Sequence, residues 1–88
     1  MAFTGMNTSQ AIALERKLEH EANRLTKIAG ELRTKVDSTS WMGPDARRFK
    51  GDTWNGVDTM IRNVATSLTS AKATIETQRR QQEQASQI

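Results

Sequence analysis

The side chains that most often perform chemistry are few in this chain and poorly placed for it. His20 is the single histidine, and cysteine is absent from the sequence. A metal site needs several convergent ligands, so we expect His20 to be a surface residue. Glu15 and Glu19 lie one helical turn apart, but acid–base catalysis needs a pocket that separates their pKa values, and a thin helical rod offers none. We therefore expect no enzyme activity, catalytic residue, metal or cofactor.

A basic cluster follows the midpoint of the chain. Arg47, Arg48 and Lys50 fall in the first turns of a predicted helix, where the helix dipole disfavours cations. With the free backbone N–H groups of a helix start, the cluster could hold an acidic partner or an anion, but ordinary solvated residues are the favoured interpretation. The net charge is only +3, and no recognised DNA- or RNA-binding module is visible in the sequence. We expect no nucleic-acid partner.

Two long segments that would position these residues have the apolar spacing of amphipathic helices. The first runs from Thr8 to about Ser38 and the second from about Pro44 to Glu83. In each, apolar residues recur at seven-residue intervals, which indicates one packed face. The residues expected in the core of the hairpin and of its dimer are Leu18, Leu25, Leu32, Ile61 and Leu68.

The segment between these helices has the composition of a tight turn. Gly43 tolerates backbone angles that a side chain forbids, Pro44 suits the first helical residue, and Asp45 suits the positive helix end. The sequence therefore predicts an all-α, antiparallel helix-turn-helix hairpin with its turn at about 39–44. A second Trp-x-Gly string begins at Trp54, but it lies on an apolar row and no proline follows, so we assign Trp54 to the core.

The chain has 88 residues, which limits it to one small domain spanning 1–88. The apolar stripes are wider than one neighbouring helix covers, so we predict a dimer of hairpins that closes a four-helix bundle. The first five residues and the Gln-rich segment from Gln78 to Ile88 are expected to be flexible ends. No apolar stretch is long enough to span a membrane, and Met1 to Gly5 lacks the layout of a cleavable signal peptide.

A short chain with a central Trp-x-Gly, a helix on each side and an aromatic residue soon after resembles the WXG family of small early-secreted-antigen-like proteins. The matching residues are Trp41, Gly43, Ala46, Phe49 and Trp54. The run Gly-Pro-Asp-Ala-Arg-Arg-Phe is similar to that of actinobacterial members. The resemblance covers the whole chain by layout.

This resemblance implies a non-enzymatic substrate or effector of a type VII (ESX) secretion system. Such a protein pairs with itself or with a paralogous WXG protein, is cytoplasmic before export, and is secreted folded without a cleavable signal peptide. Trp41 and Gly43 would form the turn that, with a tail motif of the partner, is read by an ATPase of the FtsK/SpoIIIE type. Phe49 and Trp54 would support that end of the bundle.

The chain departs from the family pattern in its tail. The family signal is a tyrosine followed four residues later by an acidic residue, and this sequence has no tyrosine. Glu76 and Glu83 are instead preceded at that spacing by Lys72 and Arg79. Three explanations of the missing motif are open. A partner supplies it, the tail is recognised by other residues, or the protein is not exported. The alternative functions are a cytoplasmic helical adaptor or chaperone for a larger secreted protein and, third, action on membranes; homodimer and heterodimer both remain open.

Overall fold

The computed structural model describes residues 5–86, and nearly all of that range is helical. The elements are α1 (Thr8–Ser38), α2 (Pro44–Arg48), a π-helical turn (Phe49–Thr53) and α3 (Trp54–Ser86). The long helices α1 and α3 pack against each other, and no strand occurs among the described residues. The all-α helical hairpin predicted from the sequence is confirmed in this single chain.

The ends of α1 follow from its flanking residues. Asn7 precedes the helix in an extended conformation, and its side-chain Oδ1 accepts a hydrogen bond from the backbone N–H of Gln10 at 2.9 Å. This satisfies one of the free donors of the first turn. At the other end, the Thr39 backbone is extended and its hydroxyl donates to the Lys35 carbonyl at 2.7 Å, which ends the helix.

The second long helix differs from the single helix predicted over about 44–83. The π-helical turn interrupts it near its start, and α3 continues through the Gln-rich segment as far as Ser86. The Gln-rich segment is therefore helical over its described part. The remainder of the predicted flexible ends, residues 1–4 and 87–88, lies outside the described residues.

The contact between α1 and α3 is built from small side chains. The buried apolar residues of these two helices are Ala11, Ala22, Ala29, Trp54 and Ala65, and Ala46 is buried in α2. The five residues assigned to the core from the sequence are not fully buried in one chain: Leu32 is 40 % exposed, and Leu18, Leu25, Ile61 and Leu68 are half-buried. Two apolar rows run along each helix, and the alanine row is the one that faces the neighbouring helix. A place for the five residues in a dimer core remains a prediction.

A buried ion-pair cluster joins the helices at the open end of the hairpin. Arg79 Nε and Nη2 donate to the two carboxylate oxygens of Glu15 at 2.6 and 3.1 Å, and Arg79 Nη1 donates to Glu83 Oε1 at 2.7 Å. Lys72 lies 3.6 Å from Glu19 one step along the rod. The hydrogen bond from Arg79, with the positive charge of Arg79, Lys72 and Arg80, lowers the pKa of Glu15 below its ordinary value. Both glutamates considered for catalysis therefore hold the helices in register.

The two sides of the hairpin differ in polarity. One side carries a groove of about 330 Å³ lined by Ala22, Asn23, Thr26, Arg62, Ala65, Thr66 and Thr69. The other side carries what we call the open apolar face: Leu14, Leu18, Leu25, Ile28 and Leu32 of α1 with Val57, Met60, Val64, Leu68 and Ile75 of α3. Leu14 and Val64 are each about half exposed, at 47 % and 51 %, and Met60 is 67 % exposed. The hairpin therefore leaves the large apolar side chains of this face only partly covered.

Candidate functional site

The turn end of the hairpin is shaped by Gly43 and Pro44. Gly43 has φ 108°, a left-handed backbone that favours glycine, and its carbonyl accepts the Arg47 N–H at 3.1 Å to begin α2. Pro44 occupies the first turn, where its missing N–H costs no helical hydrogen bond. The sharp reversal leaves Trp41 43 % exposed and Met42 90 % exposed. The turn thus presents two large apolar side chains to solvent.

The π-helical turn sets the direction of the helix that follows. Ala46 and Trp54 are both buried although they are eight residues apart. In a continuous α-helix eight residues leave two side chains about 80° apart, so the pair would lie towards opposite edges of one apolar face. The Trp54 N–H bonds back to the Phe49 carbonyl, five residues earlier, and this wider turn absorbs one residue. Both side chains can therefore face α1.

An aromatic pair connects the turn to the π-helical segment. The ring centroids of Trp41 and Phe49 are 5.5 Å apart and the ring planes are inclined by 48°. This tilted geometry is favourable for aromatic rings. Phe49 thus directly contacts Trp41, the predicted recognition residue. Trp54 is instead buried in the contact between the long helices, with 7 % of its surface exposed. Trp41 does not fill the core of the chain.

A groove of about 580 Å³ opens at this end of the molecule. It is lined by Trp41, Met42, Gly43, Ala46, Arg47, Lys50 and Gly51. Lys50 Nζ donates to the Thr39 carbonyl at 2.7 Å, so this lysine also ties the end of α1 to the π-helical turn. Arg47 is exposed and forms no ion pair with any described residue. The groove has an apolar wall and a positively charged rim.

The structure brings some of the predicted site residues together and separates others. Trp41 and Gly43 line the turn groove, and Phe49 stacks on its wall, whereas Trp54 lies in the hairpin core instead. Sequence reasoning missed Met42 and Gly51 as groove residues. One feature of the sequence could have indicated the π-helical turn. Ala46 and Trp54 are eight residues apart, whereas the apolar row that begins at Trp54 repeats every seven residues.

Other kinds of site find little support in residues 5–86. No group of three or more His, Cys, Asp or Glu side chains in that range could hold a metal ion. None of the described helices is long and apolar enough to cross a membrane. His20 is exposed on α1. The turn groove and the open apolar face are the two surfaces that expose large apolar side chains among the described residues.

No family model, curated protein or solved structure matches this chain.

Proposed function

We propose that this protein is a non-enzymatic WXG-type substrate of a type VII (ESX) secretion system, exported as a folded helical dimer. The observation that carries the proposal is the exposed turn, where Trp41 and Met42 line a groove beside Gly43. A large aromatic side chain that is not needed to fill the core is available to a partner. The proposed reader of this turn is a secretion ATPase of the FtsK/SpoIIIE type.

The groove has features that suit protein recognition. Its wall combines the Trp41 ring with Met42, whose flexible thioether adapts to different surfaces. Arg47 and Lys50 place positive charge at the rim, which favours an acidic segment and steers its approach. Phe49 contacts the Trp41 ring, with the ring centroids 5.5 Å apart. A preorganised ring of this kind loses less freedom on binding than a mobile one.

The surface area of the chain supports the need for a partner. The hairpin exposes 6634 Å², whereas a compact monomer of this mass exposes about 5,200 Å². The difference is about 1,400 Å² per chain, more than the roughly 800 Å² that each partner contributes to a standard interface. A second hairpin laid on the open apolar face would cover this area and complete a four-helix bundle. The partner is a helical hairpin, either this chain or a paralogue.

Export of a Trp41→Ala variant tests the proposal. The protein is expressed in a host with an active type VII system, and its amounts in medium and cells are compared. We expect at least a tenfold loss from the medium with unchanged far-UV circular dichroism, because Trp41 is exposed and its removal leaves the core intact. Arg48→Ala is the matched control, since Arg48 lies at the same end but does not line the groove. Normal export of the Trp41 variant would disprove the recognition role.

A second candidate function is a cytoplasmic helical adaptor or chaperone for a larger secreted protein. It is favoured by Lys72 and Arg79, which lie four residues before Glu76 and Glu83. At that position relative to the acidic residue, the family tail motif has a tyrosine. Both are engaged with α1, Lys72 with Glu19 and Arg79 with Glu15. Retention of the wild-type chain in the cell, in a complex with a longer helical protein that is itself exported, would support this candidate over the first.

A further inference from the structure

The turn groove contains two glycines, and the fold of the chain requires only one of them. Gly43 has φ 108°, a backbone conformation that residues with side chains disfavour. Gly51 lies in the π-helical turn without a positive φ, and a Cβ atom there would have no heavy atom within 4 Å apart from the adjoining helix backbone. Glycine also weakens a helix relative to alanine. Neither backbone conformation nor packing among the described residues therefore accounts for the missing side chain at Gly51.

Gly51 differs from the other unconstrained helical glycines, Gly30 and Gly56, in its position. It is half-buried and lines the turn groove, whereas Gly56 is exposed on α3 and does not line the groove. Ala46, the other small helical residue of the lining, is only 2 % exposed. A glycine in such a place allows a ligand to approach the backbone closely. Gly51 therefore leaves open a space that a larger residue would fill.

The apolar side chains beside this space lack cover. Trp41 retains 43 % and Met42 retains 90 % of its exposure. The groove volume of about 580 Å³ lies within the range of roughly 300–1,000 Å³ that is usual for ligand sites. An aromatic ring and an adaptable thioether at the edge of an open space suit one large apolar side chain of a partner.

The charges that line the groove have a single sign. Arg47 and Lys50 are the charged residues of the lining, and neither forms an ion pair within residues 5–86. The Lys50 Nζ donates to the uncharged Thr39 carbonyl at 2.7 Å. Asp45 and Asp52, the carboxylates nearest in sequence, do not line the groove. The chemical complement of this rim is an acidic group.

We infer that the turn groove binds an acidic segment of a partner protein, with one large apolar side chain of that segment seated at Gly51. The apolar side chain packs against Trp41 and Met42, and the carboxylates of the segment pair with Arg47 and Lys50. Gly51 thus decides whether the apolar side chain fits. The segment belongs to the protein that reads the turn, so the inference rests on the proposed function and names the chemistry of that reader.

Peptide titration tests this inference without export. The isotope-labelled chain is titrated, under nuclear magnetic resonance, with a short peptide of aspartate and glutamate that carries a single central leucine. We expect saturable shifts of the Trp41 indole N–H and the Gly51 amide signals. A counterpart with lysine in place of the acidic residues should bind at least about tenfold more weakly, because it meets the positive rim. Serine in place of the leucine should weaken binding about fivefold or more, because the anchor is lost.

Matched variants locate the site. Gly51→Leu should weaken binding of the acidic peptide at least about tenfold, because the new side chain occupies the place of the anchor, whereas Gly56→Leu should change it by less than about twofold. Both changes introduce a better helix former, so neither should lower the melting temperature. Arg47→Glu should weaken binding about fivefold. Arg48→Glu is its control, since Arg48 lies at the same end but outside the groove lining.

The possible results separate this site from the export role. Absence of saturable shifts at Trp41, equal binding of the lysine peptide, or an equal loss in Gly56→Leu overturns the inference. Shifts confined to the groove that appear on concentrating the chain alone, or with phosphatidylglycerol vesicles instead of the peptide, assign the groove to a second copy or to a membrane and also overturn it. Normal export of Trp41→Ala with intact peptide binding by the wild type refutes only the export role. Lost export of that variant without any peptide binding refutes only the acidic segment.

Discussion

At the residue scale, the Glu15–Arg79 pair controls how the two helices meet at the open end. Glu15 is 5 % exposed, and both of its carboxylate oxygens accept hydrogen bonds from the arginine. Removing Arg79 leaves Glu15 buried without its partner, and removing the Glu15 carboxylate leaves Arg79 with Glu83 alone; either loss is more damaging than losing a solvent-exposed pair. The Lys27 and Glu31 pair, with its atoms 3.9 Å apart and both side chains well exposed, should contribute far less.

We predict that Glu15→Gln destabilises the hairpin in a pH-dependent way. The folded-state pKa of Glu15 is lowered, first by the Arg79 hydrogen bond, so its stabilising effect is full above the ordinary value of 4.5 and is lost as pH falls through the lowered value. The variant should melt about 5 °C below the wild type at pH 7, and the gap should close below pH 4.5. Thermal melts at pH 7, 4 and 3 measure this. A gap that is the same at all three values would show that the charge of Glu15 is not the cause.

The alanine row makes a second prediction at this scale. Ala29 has no exposed surface, and α3 leaves no room for a longer side chain there. Ala29→Leu should lower the free energy of unfolding by about 1–3 kcal/mol, because overpacking forces the helices apart. Urea unfolding measures the loss. Ala13→Leu is the control, because Ala13 is exposed and leucine is nearly as good a helix former as alanine; a similar loss at both positions would contradict the packing argument.

At the element scale, the π-helical turn absorbs one residue between the buried side chains of Ala46 in α2 and Trp54 in α3. We predict that deletion of Gly51 is tolerated, because the shortened segment can continue as an α-helix with Ala46 and Trp54 seven residues apart. The melting temperature should change by less than about 4 °C. Deletion of Gly56 is the matched control. It lies in regular helix, so its loss turns Trp54 by about 100° relative to Ala65 and should lower the melting temperature by more than about 10 °C. Equal effects would refute the phase-correcting role.

The same elements show how much of the fold the sequence could predict. Seven-residue apolar rows and the Gly43–Pro44 turn predict two helices and a reversal because each acts locally. The choice between the alanine and leucine rows for the hairpin contact could not be made this way, since both rows are apolar and only the approach of α3 distinguishes them. The turn groove also depends on the π-helical segment, whose single extra residue leaves the amphipathic pattern nearly unchanged.

At the scale of the whole molecule, the hairpin is a thin rod. It measures 68 × 16 × 14 Å, and its radius of gyration is 19.8 Å, against about 12 Å for a compact domain of this length. The open apolar face runs along this rod on both long helices. An antiparallel second copy would therefore overlap the first along its whole length. Association would double the mass while adding little to the longest dimension.

The distance between the two turns distinguishes an antiparallel dimer of hairpins from a parallel one. Met42 is 90 % exposed and the chain contains no cysteine, so Met42→Cys gives a single site for a spin label. In the antiparallel dimer the labels lie at opposite ends, and their separation should approach the 68 Å length of the rod. In a parallel dimer both turns lie at one end, and packed helices would hold the labels within about 30 Å. Pulsed electron paramagnetic resonance on partly deuterated protein measures the difference. A short distance would exclude the antiparallel pairing, whereas a long one would mean that each dimer presents one Trp41 groove at each end.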